Sequence, residues 1–183
     1  MARLVIDGYG QVELNNCAFR RDGRIEAQCA LDSAFASAPC ENGMLLAVDN
    51  VTRTVKFADA SDTNQLIALN YSSEHIYDER TPGLKNFKTQ APTSGLNTDY
   101  IYPRLGYLSV GDKFTTNTID MGSYADLSAV ASAVESGVYG GISVSGAIAL
   151  AAAAPSVGPA LKVVKVTTMP DGTPGVKFQC VKA

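Results

Sequence analysis

The stretch that most narrows the possible folds is the closing one. Leu161-Lys162-Val163-Val164-Lys165-Val166-Thr167 and Val176-Lys177-Phe178-Gln179-Cys180-Val181 flank Met169-Pro170-Asp171-Gly172-Thr173-Pro174-Gly175. Both runs are rich in β-branched residues, and Pro and Gly stand between them where turns need a fixed or a left-handed backbone. The pattern predicts an antiparallel hairpin. A second hairpin is predicted from residues 44–48 and 53–58 around Asp49-Asn50-Val51-Thr52. Val51, Val55 and Phe57 alternate there with polar residues, which predicts one wet face on the outgoing strand. A third places 17–20 against 24–29 around Arg21-Asp22-Gly23. A two-residue Asp-Gly turn would pair Phe19 with Glu26. A three-residue loop with a left-handed Gly23 pairs Phe19 with Ile25 and Cys17 with Ala27, and side-chain parity selects it.

Shorter strands are expected at 4–6, 66–69, 101–108 and 113–118. Residues 124–135 instead put Leu127, Val130, Ala131 and Val134 on one helical face, ending at Gly137, although the same valines and small residues also suit a strand. Many short strands and one short helix predict a mainly β fold, an antiparallel sandwich or barrel. Two regions read as appendages. Residues 1–40, with Gly8, Gly10 and Pro39, are expected as an N-terminal arm or hairpin reaching a neighbour. Within the β domain, 41–183, residues 78–99 carry Pro82, Gly83, Pro92 and Gly95 without apolar periodicity, and read as a long loop.

At 183 residues and 19.2 kDa the chain has the length of one domain with its own core. Its net charge is −3, and its 15 Lys and Arg are scattered along the sequence, which argues against a dedicated nucleic-acid or anionic-membrane surface. Charged residues make up 18%, against the usual ~25%, so covering of the surface by neighbours is expected. The opening Met1-Ala2-Arg3-Leu4-Val5-Ile6-Asp7 does not read as a signal peptide, and synthesis in the cytoplasm is expected. The apolar stretch 142–154 is well short of the ~20 residues that span a bilayer.

Catalytic signatures run out quickly. Cys17, Cys29, Cys40 and Cys180 are too widely spaced for a metal knuckle and read as reduced, packed thiols. His75 is the sole histidine. Its neighbours Glu74, Asp78 and Glu79 offer too few nitrogen or sulfur donors for a metal site and read as a solvated acidic loop, and nothing sets His75 beside a cysteine. Gly141-Ile142-Ser143-Val144-Ser145-Gly146 approaches a nucleophile elbow but has Ser145 where the last glycine belongs. Asp7-Gly8-Tyr9-Gly10 lacks the third glycine of a dinucleotide loop. Asn50-Val51-Thr52 and Asn70-Tyr71-Ser72 match glycosylation acceptors but read as turn and strand-end residues. No catalytic residue, metal or cofactor is therefore expected. The interface candidates are Arg20, Arg21 and Arg24 on a hairpin tip, and Tyr100, Tyr102 and Tyr107 beside the long loop.

Asn42-Gly43-Met44-Leu45-Leu46-Ala47-Val48-Asp49, Val110-Gly111-Asp112-Lys113-Phe114-Thr115-Thr116-Asn117 and the closing hairpin resemble small tailed-bacteriophage virion proteins, including capsid decoration or cement proteins. The likeness covers residues 40–183 and rests on style, with no invariant motif. It implies a non-enzymatic β domain that is made in the host cytoplasm without a signal peptide and resides in the virion. There it would bind the capsid lattice through the major capsid protein or another virion protein, as a homo-oligomer or lattice neighbour, with no role for nucleic acid or membrane. A second expectation is a receptor- or glycan-binding domain of a fibre or tail, with the three tyrosines at a groove. A third is a small hydrolase using Cys or Ser.

Overall fold

A computed structural model describes residues 9–36, 38–72 and 102–183. In chain order the elements are β1 (Val12–Asn16), α1 (Ala18–Asp22), β2 (Ile25–Glu26), β3 (Ala30–Leu31), β4 (Leu45–Asp49), β5 (Thr54–Phe57), β6 (Leu66–Asn70), β7 (Leu105–Gly106), β8 (Lys113–Thr116), β9 (Ile119–Asp120), α2 (Leu127–Ala133), β10 (Tyr139–Gly141), β11 (Ile148–Ala151), β12 (Ala160–Thr168) and β13 (Pro174–Lys182). They form a seven-stranded sheet, ordered β1-β8-β13-β12-β10-β11-β9, and a six-stranded sheet, ordered β2-β7-β6-β4-β5-β3. The fold is mainly β, as expected. All pairings are antiparallel except β9–β11 and β3–β5.

The closing hairpin forms as predicted and supplies one wall of the core. Its register sets Leu161 opposite Cys180, Val163 opposite Phe178 and Val166 opposite Val176. Alternation then turns these apolar side chains to one face, where Phe178 meets Phe114 at 5.6 Å between ring centroids. Leu45 and Leu69 of the six-stranded sheet join the same cluster, so the main core lies between the sheets. On the far face of the six-stranded sheet, Leu46, Val48, Val55, Ala68 and Leu105 pack with Cys29, Phe35 and Cys40 from the segment that crosses over it. Strand β4 is thus buried on both faces, which accounts for its unbroken apolar run.

The 44–48/53–58 hairpin is also present, with Val48 opposite Val55 and Leu46 opposite Phe57. Val51 does not share its inward face; it sits in the turn and is 94% exposed. Residues 124–135 are helical over Leu127–Ala133, begun by the Asp126 carboxylate, which accepts from the Ala129 N–H at 2.8 Å. Leu127, Val130 and Val134 pack inward, whereas Ala131 is exposed. The helix ends at Val134, before Gly137. The strand expected at 101–108 contracts to Leu105–Gly106, and that at 113–118 to Lys113–Thr116. Residues 4–6, His75 and the 78–99 loop lie outside the described residues.

The 17–29 hairpin does not form. Residues 18–22 make the helix α1, closed by Gly23 in the left-handed conformation at φ 70°. Ile25 pairs with Gly106 of β7 rather than with Phe19. The parity argument assumed a local partner strand, but the helical turn sends Phe19 into the core and frees β2 to pair elsewhere. The segment expected as an arm is likewise built into the domain over its described part. β1 pairs with β8 as an edge strand, and Phe19 is fully buried in the main core. Gly43, at φ 86°, closes this seam: a β-carbon there would overlap the Thr116 hydroxyl, which donates to the Gln11 carbonyl at 2.5 Å.

Candidate interaction surface

β2 is two residues long and stands at one end of the six-stranded sheet, so no described strand pairs with its outer side. Around that edge the chain gathers cations. Arg20 and Arg21 project from the last turn of α1, and Arg24 follows the Gly23 cap; all three are exposed. The Arg24 carbonyl accepts from the Tyr107 N–H at 3.1 Å, and its guanidinium donates to the Ser109 hydroxyl. Arg104 is held just before β7, its carbonyl accepting from the Tyr71 N–H at 3.0 Å. Asp22 answers part of this charge, 3.3 Å from Arg21 and 4.0 Å from Arg24, in solvent-screened pairs of little energetic worth. Apolar side chains are exposed on β2 and on the segments flanking β7: Ile25 is 36%, Tyr102 50% and Val110 68% exposed.

Beneath this edge, the Tyr71 ring packs on Phe19 at 5.1 Å, and its buried hydroxyl has no hydrogen-bond partner among the described residues. Burial raises the pKa of that phenol, and burial together with the nearby Glu26 raises that of Tyr107. Tyr107 is half-buried and lines an open groove of about 370 Å³ with Gln65, Leu66, Leu108 and Lys182. Of the six interface candidates, Arg20, Arg21 and Arg24 stand at or beside the β2–β7 edge; Tyr107 joins that edge through its backbone, while its ring packs on the far face of the six-stranded sheet. Tyr102 is exposed on the approach to β7, and Tyr100 lies outside the described residues. Sequence reasoning missed Arg104, Ile25 and Val110. Arg104 carries no local signal, since only the β6–β7 pairing brings it near α1. Ile25 looked like a core position.

The nucleophile candidates are otherwise engaged. The Ser143 hydroxyl donates to the Ala147 carbonyl at 2.7 Å and lies 2.9 Å from the Ser145 hydroxyl, closing the β10–β11 turn with Gly146 at φ 81°. All four cysteines are free and buried. Burial, reinforced by the Asp112 and Glu41 carboxylates, pushes the Cys17 and Cys40 thiols up to about 12 and Cys180 to about 11; Cys29 is raised by burial and by Glu26. A thiol activated for attack is shifted the opposite way. A thiol reagent at neutral pH is therefore expected to label none of the four in the native protein and all four in denaturant. Rapid native labelling of any one would show an accessible thiolate. An unfolded thiol ionises near 9, so this contribution to stability is complete below pH 9 and is lost as the pH rises toward 11–12. The melting temperature should fall across that window.

No group of three or more His, Cys, Asp or Glu side chains that could hold a metal occurs among the described residues, and Glu74, His75, Asp78 and Glu79 lie outside them. No described helix is long and apolar enough to cross a membrane. Compared with known proteins, the chain matches no family model, no curated protein and no solved structure.

Proposed function

We propose that this chain is a non-enzymatic structural subunit of a phage particle, which binds the capsid lattice as a decoration or cement protein. The observation that carries the reading is the β2–β7 edge, where Arg20, Arg21, Arg24 and Arg104 are exposed together with Ile25 of β2, and Tyr102 and Val110 are exposed on the segments flanking β7. Such an edge suits an acidic, partly apolar patch on a neighbouring virion protein, with the cations steering the approach and the apolar side chains contributing burial. Each contact is weak alone, but repetition across a lattice multiplies it. The resemblance of residues 40–183 to virion proteins supports the same reading.

Mass photometry of the species isolated from its source tests this. Megadalton particles containing the chain are expected. Reversal of Arg20, Arg21 and Arg24 to Glu should lower its incorporation by about tenfold while leaving the circular dichroism unchanged. A monodisperse species near 19.2 kDa would overturn the proposal. A second reading, a glycan-binding domain of a fibre or tail, draws on the groove lined by Tyr107, Gln65 and Thr63, which offers an aromatic face beside hydrogen-bonding groups. Saturable glycan binding that is lost in Tyr107→Ala would favour it.

A further inference from the structure

The six described lysines divide into two groups. Lys56 and Lys182 each have a partner: Lys56 lies 3.9 Å from the Asp49 carboxylate, and Lys182 donates to the Ser156 carbonyl at 2.7 Å. Lys113, Lys162, Lys165 and Lys177 have no ion pair among the described residues. These four lie together on the outer face of the seven-stranded sheet, a placement that the strand register settles. Val176 and Phe178 of β13 are buried in the core, so alternation turns Lys177 and Gln179 outward. Lys165 stands directly opposite Lys177, and Gln179 lies between Lys162 on one side and Lys113 on the other. Glu13, opposite Thr115 on β1, is the one carboxylate that these register rows bring to the face.

A directly opposed pair of like charges on a sheet destabilises it, and none of the described carboxylates forms an ion pair with either lysine. Val164 and Val181, 41% and 39% exposed, add apolar surface along the same two strands. We propose that the outer face of the seven-stranded sheet docks a carboxylate-rich protein surface, whose acidic side chains complete the lysine array. A protein partner is favoured over a nucleic acid or an anionic membrane on two grounds. The chain as a whole is negative, so an extended polyanion is repelled at long range, whereas local carboxylates respond to the patch within a Debye length of ~8 Å. The face also presents Gln179, Asn15 and two valines on a sheet surface, without the arginines that phosphate groups favour. This surface is distinct from the β2–β7 edge, and the inference does not depend on the chain being a virion protein.

Nitrogen-15 labelled full-length chain titrated with a short hexaglutamate peptide, a local cluster of carboxylates rather than an extended polyanion, tests it. The expected result is saturable amide shifts on β8, β12 and β13, weakened by added salt. Lys165→Glu/Lys177→Glu should bind about tenfold more weakly. Lys165→Glu alone guards against mere misfolding: it should bind more weakly yet melt higher, because it turns the like-charge pair into an attractive one. Three results would overturn the proposal: shifts confined to the Arg20–Arg24 edge, no saturable shifts at all, or tighter binding to a DNA duplex or to phosphatidylserine vesicles than to the hexaglutamate peptide.

Discussion

Phe19→Ala is expected to lower the unfolding free energy by about 4 kcal/mol, read as a drop in the urea midpoint at unchanged slope. The side chain is fully buried between the sheets, in one cluster with Leu45, Leu69, Phe114 and Phe178, and its ring packs on Tyr71 and against Gly106 of β7. Truncation removes the transfer energy of a benzyl group and leaves a cavity that Gly106, without a side chain, does nothing to fill. For a domain whose total stability is on the order of 5–15 kcal/mol this is a large fraction. The result also decides the status of the first forty residues. A peripheral arm would tolerate the change within about 0.5 kcal/mol, and a midpoint that stayed put would show that the described part of this segment is not integral to the fold.

Asp112→Ala should cost about 3 kcal/mol by the same measurement. The carboxylate is 4% exposed and accepts two backbone hydrogen bonds at 2.8 Å, from the Ala18 N–H at the start of α1 and from the Ser109 N–H of the β7–β8 connection. Cys17, at the helix N-cap, makes no capping bond with its own side chain, so Asp112 caps α1 from 94 residues away. The backbone of Asp112 also joins β13, its carbonyl accepting from the Cys180 N–H at 2.8 Å. Removing the carboxylate leaves two amides without their acceptor. Asp112→Asn keeps one acceptor oxygen and is expected to fall between wild type and Asp112→Ala. Hydrogen exchange separates this from a general loosening: Ala18 and Ser109 should lose protection first, ahead of β12 and β13. Equal stability of wild type and Asp112→Ala would mean that the cost of burying the charge cancels both bonds.

Both residues show where local reading stops. Asp112 was visible as part of a Val-Gly-Asp-Lys turn before a strand, and that turn forms, with Gly111 at φ 97°. Nothing nearby marks it as the cap of a helix in another part of the chain. Phe19 was visible as an apolar residue three positions before an Asp-Gly pair, a pattern shared by a hairpin and by a short helix with a glycine cap. Five residues are too few for a 3.6-residue period to stand out from alternation, so only the surroundings of Phe19 separate the two. The interaction surface was legible to a similar degree. Arg20, Arg21 and Arg24 follow one another along the chain and were found together, whereas Arg104 arrives through strand pairing. The lysine face was hidden in another way: residues 113, 162, 165 and 177 look scattered along the chain and become neighbours only through the β8–β13–β12 register.

What the amino-acid sequence determined by itself is the set of local, strongly patterned elements: the closing hairpin, the β4–β5 hairpin, strands β6 and β8 and the mainly β class. In each of these the apolar period and the flanking turn residues agree within one short window, so tertiary context had little to override. Tertiary structure alone decided that Phe19, Cys29, Phe35 and Cys40 enter the core, that residues 18–22 coil, and that arginines and lysines collect on separate surfaces. The reason is physical. These outcomes depend on which distant strand supplies the missing hydrogen bonds and the missing apolar face, and burying Phe19 between two sheets outweighs the small local preference that a five-residue segment can express.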